Sequence, residues 1–324
     1  MSKSAIRFSI IIPTKGWNKN LEECLAQCKK LDYTNYEIIV LPDDELHIDG
    51  IRVMATGPVS PGEKRNIGMK NANGEIIAFI DDDAYPRKDW LKSAEKYLLK
   101  GVKCVGGPQL TPESEGILEK ASGSIYSSTV GGGGLSYEYN LTEIKEVEEQ
   151  SSCNLIIVKE IALNVGGFSK DIWPGEDSLF CRDLKKIGYK ILFAPDVVIF
   201  HHRRPLFKPH LRQIWWYGLQ RGQLTKTSLR TLLLKKYVFP SIFIIGAIIG
   251  IILSLQFPAF LPIYLIGMIG YIFIVIANSL VLAIKAGSIQ IAILTFSGII
   301  LTHITYGLSF IVGLLKKKKL GDSV

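Results

Sequence analysis

Between Tyr237 and Leu315 the chain carries a single formally charged residue, Lys285. Three apolar segments fit there, at about 237–256, 259–284 and 289–315. Each supplies the ~20 residues that a helix needs to cross a bilayer. In lipid every backbone polar group must find its partner within the protein, which restricts this part of the chain to a helical transmembrane region. The stretch before it is basic: residues 203–236 hold nine Lys/Arg and no acid. Leu211, Ile214, Trp215, Leu219, Leu224, Leu229, Leu232 and Leu233 give it an apolar face, with Trp216 and Tyr217 alongside. A basic amphipathic helix or helix pair of this kind reads as an interfacial neck on anionic lipid. The adjoining spans account for its charge, so no nucleic-acid partner is expected.

The same charges suggest an orientation. Lys235-Lys236 and the neck put the preceding residues on the cytoplasmic side of a multi-pass cell-membrane protein. Three full crossings would then leave Lys316–Lys319 on the far side, against the same rule. A segment that does not cross fully removes the conflict, and so does a tail too short to feel the bias.

The rest of the chain has the opposite balance. Residues 197–321 hold 14 Lys/Arg and no Asp/Glu, which leaves 24 Lys/Arg against 30 Asp/Glu elsewhere, a net of −6. A mildly acidic soluble part precedes the membrane region. Its cysteines, Cys24, Cys28, Cys104, Cys153 and Cys181, form no CxxC pair and no Cys/His cluster, and read as small buried residues of a reducing compartment. The apolar run near the N-terminus is too short for a signal peptide.

Within the soluble part, Arg7–Ile12 is a β-rich run stopped by Pro13. Leu21, Cys24, Leu25, Cys28 and Leu31 recur at helical spacing over about 18–31, and Tyr36–Leu41 is a second strand ending at Pro42-Asp43-Asp44. Strand–helix–strand order predicts a parallel α/β sheet, whose ligands sit beyond the carboxyl ends of the strands. Pro61 opens a further helix that Asn73-Gly74 stops, with Lys64 and Arg65 near its N-terminus. Cations are disfavoured there by the helix dipole, so they either meet an anion or lie on a solvated face. The apolar strand Ile76–Ile80 then ends in Asp81, Asp82 and Asp83. Three adjacent acids repel, and either form a solvated turn or hold a hard divalent cation with oxygen ligands.

Val102–Val105 is a short strand, and residues 111–150 are the least regular part, with Gly131–Gly134 in a loop and Glu143–Glu149 an exposed acidic patch. Asn154–Val158 resumes strand character and Lys159–Val165 is a short helix. Glu176 and Asp177 then open an amphipathic helix, where acids are favoured by the dipole. Val197–Phe200 is β-rich and ends at His201-His202.

In this order SIIIPTKG, EIIVLPDDE, EKRNIGMKNANGEIIAFIDDD, the Gly-Gly-Phe before PGED, and His201-His202 resemble a family 2 glycosyltransferase with a GT-A fold, over roughly residues 7–205. The apolar tail resembles membrane-bound members of the succinoglycan type that make bacterial surface polysaccharides. The resemblance implies a Rossmann-like mixed α/β sheet in a catalytic domain over 1–205, followed by the neck over 206–236 and the transmembrane region over 237–324. It implies inverting transfer from a nucleotide-diphosphate sugar to a lipid-linked or cell-surface glycan acceptor. Pro13 and Thr14 would border the nucleotide, and Asp43 or Asp44 would contact the base. Lys64 and Arg65 would lie by the nucleotide and diphosphate, and Asp81 by the ribose. Asp82 belongs with these acids without a job of its own. Asp83 would hold Mg²⁺ or Mn²⁺ together with His201, His202 being the less favoured ligand. Asp177 would be the general base, with Glu176 beside it.

One departure matters. Processive members carry Gln-x-x-Arg-Trp in the interfacial helix, and here the local sequence is Gln213-Ile214-Trp215-Trp216. One sugar per acceptor is therefore favoured over polymer synthesis. Two other readings stay open: a polyprenyl-phosphate sugar synthase, and a non-catalytic membrane assembly protein on a GT-A scaffold.

Overall fold

The computed structural model describes residues 6–227 and 235–316. Leu229, Arg230, Leu232, Leu233 and Lys317–Lys319, which the sequence assigns to the neck and the basic tail, lie outside the described residues. Among the described residues the chain divides into two compact units: one holds the residues through Pro112 together with Tyr137–His202, the other Glu113–Ser136 with Arg203 to Lys316.

The first unit contains strands β1 (Phe8–Pro13), β2 (Tyr36–Leu41), β3 (Arg52–Val53), β4 (Ile76–Phe79), β5 (Ala84–Pro86), β6 (Cys104–Gly106), β7 (Gln109–Leu110), β8 (Lys145–Val147), β9 (Leu155–Val158), β10 (Ile191–Phe193) and β11 (Ile199–His201). Eight of them form a mixed sheet in the order β3-β2-β1-β4-β9-β6-β10-β8. β1 lies parallel to β2 and β4, while β9 runs antiparallel to β4 and β6. Alternate residues of the central strands feed two separate cores. Ile10, Ile12, Ile38, Val40, Ile76 and Ala78 share one with Leu21, Cys24, Trp90 and Leu91. Ile11, Ile39, Ile77 and Phe79 share the other with Met69, Ile161, Phe180 and Leu184. Both faces are covered by helices, which explains why these strands read as continuous apolar runs rather than alternating ones. All five cysteines are free and buried.

The helices of this unit are α1 (Lys19–Cys28), α2 (Pro61–Asn71) and α3 (Trp90–Leu98), and further on two more. Asn18 caps α1 by accepting from the Asn20 and Leu21 amides, and Ser60 caps α2 through the Glu63 amide. β5, β11 and β7 form a small second sheet. It is the element that gathers the site.

The second unit begins with α4 (Ile117–Ser127) and the short α5 (Thr129–Gly132), in the stretch that the sequence leaves irregular. Gly123 and three serines weaken the helical signal of α4, yet Ala121 and Ile125 are buried with Leu206, Val275, Leu282, Ile291 and Ile299. Tertiary packing overrides local propensity there. The Gly131–Gly134 run is accordingly helical, Gly131 and Gly132 closing α5 and Gly133 opening a 3-10 turn to Tyr139. Glu149 departs from the exposed acidic patch expected over Glu143–Glu149, because it is buried.

The first unit's remaining helices are α6 (Lys159–Asn164) and α7 (Glu176–Lys186), and the second unit continues with α8 (Lys208–Thr227), α9 (Lys235–Gln256), α10 (Leu261–Ala286) and α11 (Ile289–Leu315). The apolar face of α8 is taken up inside the unit: Ile214, Leu219 and Leu224 are buried, while Arg212, Trp215 and Tyr217 stay exposed. α8 and α11 meet through glycines. A Cβ on Gly222 would lie 2.2 Å from the Phe310 carbonyl oxygen, and one on Gly313 would lie 2.1 Å from that of Leu219. Pro258–Ala286 and Ile289–Leu315 are long and apolar enough to cross a membrane, whereas the apolar helix Pro240–Gln256 is shorter. Ile263, Ile266, Ile269, Phe273 and Ile284 of α10 are largely exposed, an apolar surface that water does not favour and lipid does.

Candidate active site

The acids after β4 diverge because the chain turns sharply there. The Ala84 amide donates to the Asp81 carbonyl at 3.2 Å, and β5 starts at once. Each of the three carboxylates consequently meets a different partner. Asp81 Oδ1 accepts from Arg65 Nη2 at 2.6 Å. Asp82 Oδ2 accepts from Asn18 Nδ2 at 3.0 Å and from the Thr14 hydroxyl at 2.6 Å, tying the triplet to the loop between β1 and α1. Burial pushes the Asp82 carboxyl up, with Asp83 and Asp81 adding to the effect against the Thr14 and Asn18 donors.

Asp83 enters the small sheet. β5 and β11 are antiparallel with His201 opposite Ala84, and the His202 amide donates to the Asp83 carbonyl at 2.9 Å. This register brings His201 Nε2 to 3.1 Å from Asp83 Oδ1. His202 points elsewhere, its Nε2 lying 3.0 Å from Glu23 Oε2. Of the two histidines, the structure joins His201 to the aspartate.

Lys64 and Arg65 do meet anions, and those anions belong to the chain itself. Both are buried. Lys64 Nζ donates to the Thr14 and Leu41 carbonyls at 2.8 and 3.2 Å and pairs with Asp43. Pro13 is buried in register with Leu41, whereas Asp44 is exposed on the surface. Arg65 Nη1 donates to Glu176 Oε1 at 2.9 Å while Nη2 serves Asp81, and the guanidinium lies 5.5 Å from the centre of the Phe168 ring. One buried cation thus fastens the end of β4 to the start of α7. Gly175 turns the chain into α7 at φ 112°, a left-handed conformation that favours glycine. The two acids that follow have unlike surroundings. Glu176 is buried; burial and the nearby Asp177 push its carboxyl up, to about 7, against the pull of Arg65. Asp177 is only half-buried, the more accessible carboxylate of the pair.

Two residues of this region carry no signal in the sequence. Gln109 of β7 and Glu138, at the end of the 3-10 turn, are both buried and hydrogen-bonded to each other at 2.9 Å. Glu138 is an isolated acid in a polar stretch, and only the fold brings it inward.

Among the described residues no three His, Cys, Asp or Glu side chains converge on one point. Asp83 and His201 offer a carboxylate oxygen and an imidazole nitrogen, two donors that suit Mg²⁺ or Mn²⁺ when phosphate oxygens and water complete the sphere.

Comparison with known proteins fits this geometry. The glycosyl transferase family 2 profile matches residues 9–120, and that of glycosyl transferase family group 2 matches residues 76–285, more than half of the chain. This chain belongs to the family 2 glycosyltransferases. A Methanococcus voltae dolichyl N-acetyl-α-D-glucosaminyl phosphate 3-β-D-2,3-diacetamido-2,3-dideoxy-β-D-glucuronosyltransferase is 26% identical over 257 residues, covering 72% of this chain and 77% of the relative. Glycosyltransferase AglE of Haloferax volcanii is 24% identical over 240 residues, covering 64% and 73%. The mannosyltransferase PcManGT from Pyrobaculum calidifontis, solved with GDP-Man and Mn²⁺, superposes with a TM-score of 0.57 at 19% identity, covering 97% of this chain and 88% of that one. The fold is therefore GT-A, and the protein is a glycosyltransferase.

Proposed function

We propose that this glycosyltransferase moves one sugar, with inversion, from a nucleotide-diphosphate donor to a lipid-linked glycan acceptor at the cytoplasmic face of a membrane. The observation that carries the reading is the register of the small sheet, with Asp83 Oδ1 and His201 Nε2 at 3.1 Å beyond the end of β4. A divalent cation bound there would offset the charge that develops on the departing diphosphate. Thr14, Asp43, Lys64 and Asp81 line the nucleotide end in this reading. Lys64 sets the position of Asp43, and Arg65 sets that of Asp81 and Glu176. Asp177 takes the proton of the acceptor hydroxyl as its oxygen bonds to the anomeric carbon and the bond to the diphosphate breaks. Its partial exposure supports that role, and the Arg65 pairing of Glu176 argues against Glu176 sharing it.

The lipid-linked acceptor is supported by the M. voltae relative, whose name gives a dolichyl-phosphate sugar as its acceptor. Membrane attachment is supported by α10 and α11. Two crossings by these helices return the chain to its starting side, so that Lys316 and the neck share the cytoplasmic face and the charge rule is kept. The short apolar length of Pro240–Gln256 supports a first segment that does not cross fully.

Protein purified in detergent with Mn²⁺, a panel of nucleotide sugars and polyprenyl-linked acceptors tests the reading. Asp83→Ala and Asp177→Asn should each lower transfer by ~100-fold or more, the scale of lost general-base assistance. Full activity in Asp177→Asn sinks the base assignment and favours a polyprenyl-phosphate acceptor, which is already ionised. No metal-dependent nucleotide binding at all would sink the enzymatic mechanism and leave an assembly role.

A further inference from the structure

We propose that Trp173 is the platform on which the acceptor's sugar ring stacks while its hydroxyl meets Asp177. The inference rests on reading Asp177 as the base and a lipid-linked glycan as the acceptor, and it adds what holds that glycan. Three tryptophans lie in the sheet unit: Trp17, Trp90 and Trp173. Trp90 is fully buried, and its Nε1 donates to Asn154 Oδ1 at 2.9 Å. That is the usual fate of so large an apolar side chain. Trp17 and Trp173 are instead 51% and 46% exposed. Trp17 adjoins Asn18, which holds Asp82, so it stands at the nucleotide end. Trp173 stands four residues before the base.

The segment that carries Trp173 is fastened on both sides to the first half of α2. On one side the Phe168 amide donates to Asn66 Oδ1 at 2.8 Å, and the Ser60 hydroxyl donates to the Lys170 carbonyl at 3.2 Å. Lys170 Nζ also lies 2.9 Å from Glu63 Oε1. On the other side Glu176 is held by Arg65, which holds Asp81 as well. Trp173 is three residues from Lys170 and three from Glu176. Its Cα therefore lies within ~11 Å of both, however the segment runs, and within ~14 Å of Asp177. An indole and a hexose ring together bridge such a separation. The two fastenings keep an exposed aromatic ring at the edge of the site, on the side of the base.

The chemistry of that ring suits a sugar. A pyranose carries its hydroxyls around its rim and presents C–H groups above and below. Those faces are apolar, and their hydrogens bear partial positive charge, which matches the negative face of an aromatic ring. The acids of the site can bind hydroxyls but offer nothing to a C–H face. Stacking leaves the rim free, so one hydroxyl can turn to Asp177 while the ring stays fixed, and fixed orientation is a large part of catalysis. An indole has only two side-chain torsions to order, so little of the contact is lost to entropy.

The test uses the full-length protein in detergent with Mn²⁺, a saturating nucleotide sugar, and polyprenyl-phosphate N-acetylglucosamine as the acceptor probe. Trp173→Ala should raise the acceptor KM by ~5–150-fold, the range for a ring stacked on an aromatic side chain. Its kcat and donor KM should stay near those of the wild type, the pattern of lost binding rather than lost chemistry. Trp173→Tyr should keep most of the acceptor affinity and Trp173→Leu little of it, because only tyrosine retains an aromatic face. Inhibition by polyprenyl phosphate, which has the lipid and the charge without the sugar, should be equal in all four proteins. An unchanged acceptor KM in Trp173→Ala, whether or not kcat falls, overturns the platform and leaves the transferase reading intact. Weaker inhibition by polyprenyl phosphate in Trp173→Ala makes Trp173 a lipid contact and overturns it, and so does a Trp173→Leu that behaves like the wild type. A wild-type protein that binds the donor yet transfers to no polyprenyl-linked sugar overturns the acceptor reading, and the platform with it.

Discussion

The sheet unit and the helical unit bury polar groups by opposite means. Around the site, buried polarity includes ion pairs: Lys64 pairs with Asp43, and Arg65 spans Asp81 and Glu176. In the helical unit, Arg203 apart, it is neutral among the described residues. His210 is buried between the Ser122 hydroxyl at 2.8 Å and that of Thr302 at 3.0 Å, and the helices close on one another through Gly218, Gly222 and Gly313. The difference is what the proposed surroundings, a charged donor at one unit and lipid around the other, would call for. A site for a charged donor has to be built with compensated charges near water, whereas helices in contact with lipid lack a hydrophobic drive to associate and depend on close approach and neutral hydrogen bonds.

The largest effect expected from this contrast is at Arg65. Arg65→Met leaves two carboxylates without their shared cation, and breaking a buried pair costs about 3–5 kcal/mol. Thermal unfolding in detergent should show a strongly lowered midpoint, and Arg65→Met combined with Glu176→Gln should recover part of it. A single variant that unfolds like the wild type would show that the ionic network is not what holds β4 to α7.

Next in size is the glycine seam. Gly222→Ala puts a methyl group against the Phe310 backbone, and overpacking of this kind costs about 1–3 kcal/mol. Gly246 and Gly267 have nothing within 4 Å of an added Cβ, so Gly246→Ala and Gly267→Ala should be neutral or slightly stabilising through helix propensity. Equal effects at all three positions would remove the distinction between a packed seam and open glycines.

What the sequence reveals follows the same divide. Regular burial is legible: the strands before Pro13, Asp43 and Asp81 and the amphipathic helices over α1 and α7 follow from periodicity alone, because both sheet faces need apolar cover. The ends of strands are legible as places for acids, but not the partner of each. Nothing in EKRN says that Lys64 turns to Asp43 while Arg65 reaches Glu176, since that depends on α2 and α7 packing side by side on one face of the sheet. His201 could be preferred to His202 by resemblance, and the register of β5 with β11 supplies the physical reason. α4 was hidden because its serines and Gly123 are poor helix formers in isolation. Gln109 and Glu138 were hidden because single polar residues in short or irregular segments carry no period at all.

The smallest expected effect concerns Glu138, a buried acid of the site region held by neutral donors rather than by a cation. Burial and Asp177 push its carboxyl up, to about 8, against the hydrogen bonds from Gln109 and Ser151. An unfolded glutamate titrates near ~4.3, so the folded chain keeps the proton where the unfolded chain has lost it. The sign follows: this contribution to stability is fully present below ~4.3 and is lost as pH rises through about 8. Glu138→Gln cannot titrate, while Glu176 is unchanged in both proteins and cancels in the comparison. The unfolding midpoint of the wild type minus that of Glu138→Gln should therefore fall by a few degrees between about pH 5 and about pH 9, given the usual relation between stability and midpoint. A difference that stays constant across that range would mean that Glu138 is ionised throughout. Buried acids on both sides of the site would then be held by the same strength of compensation, whether the partner is Arg65 or a pair of neutral donors.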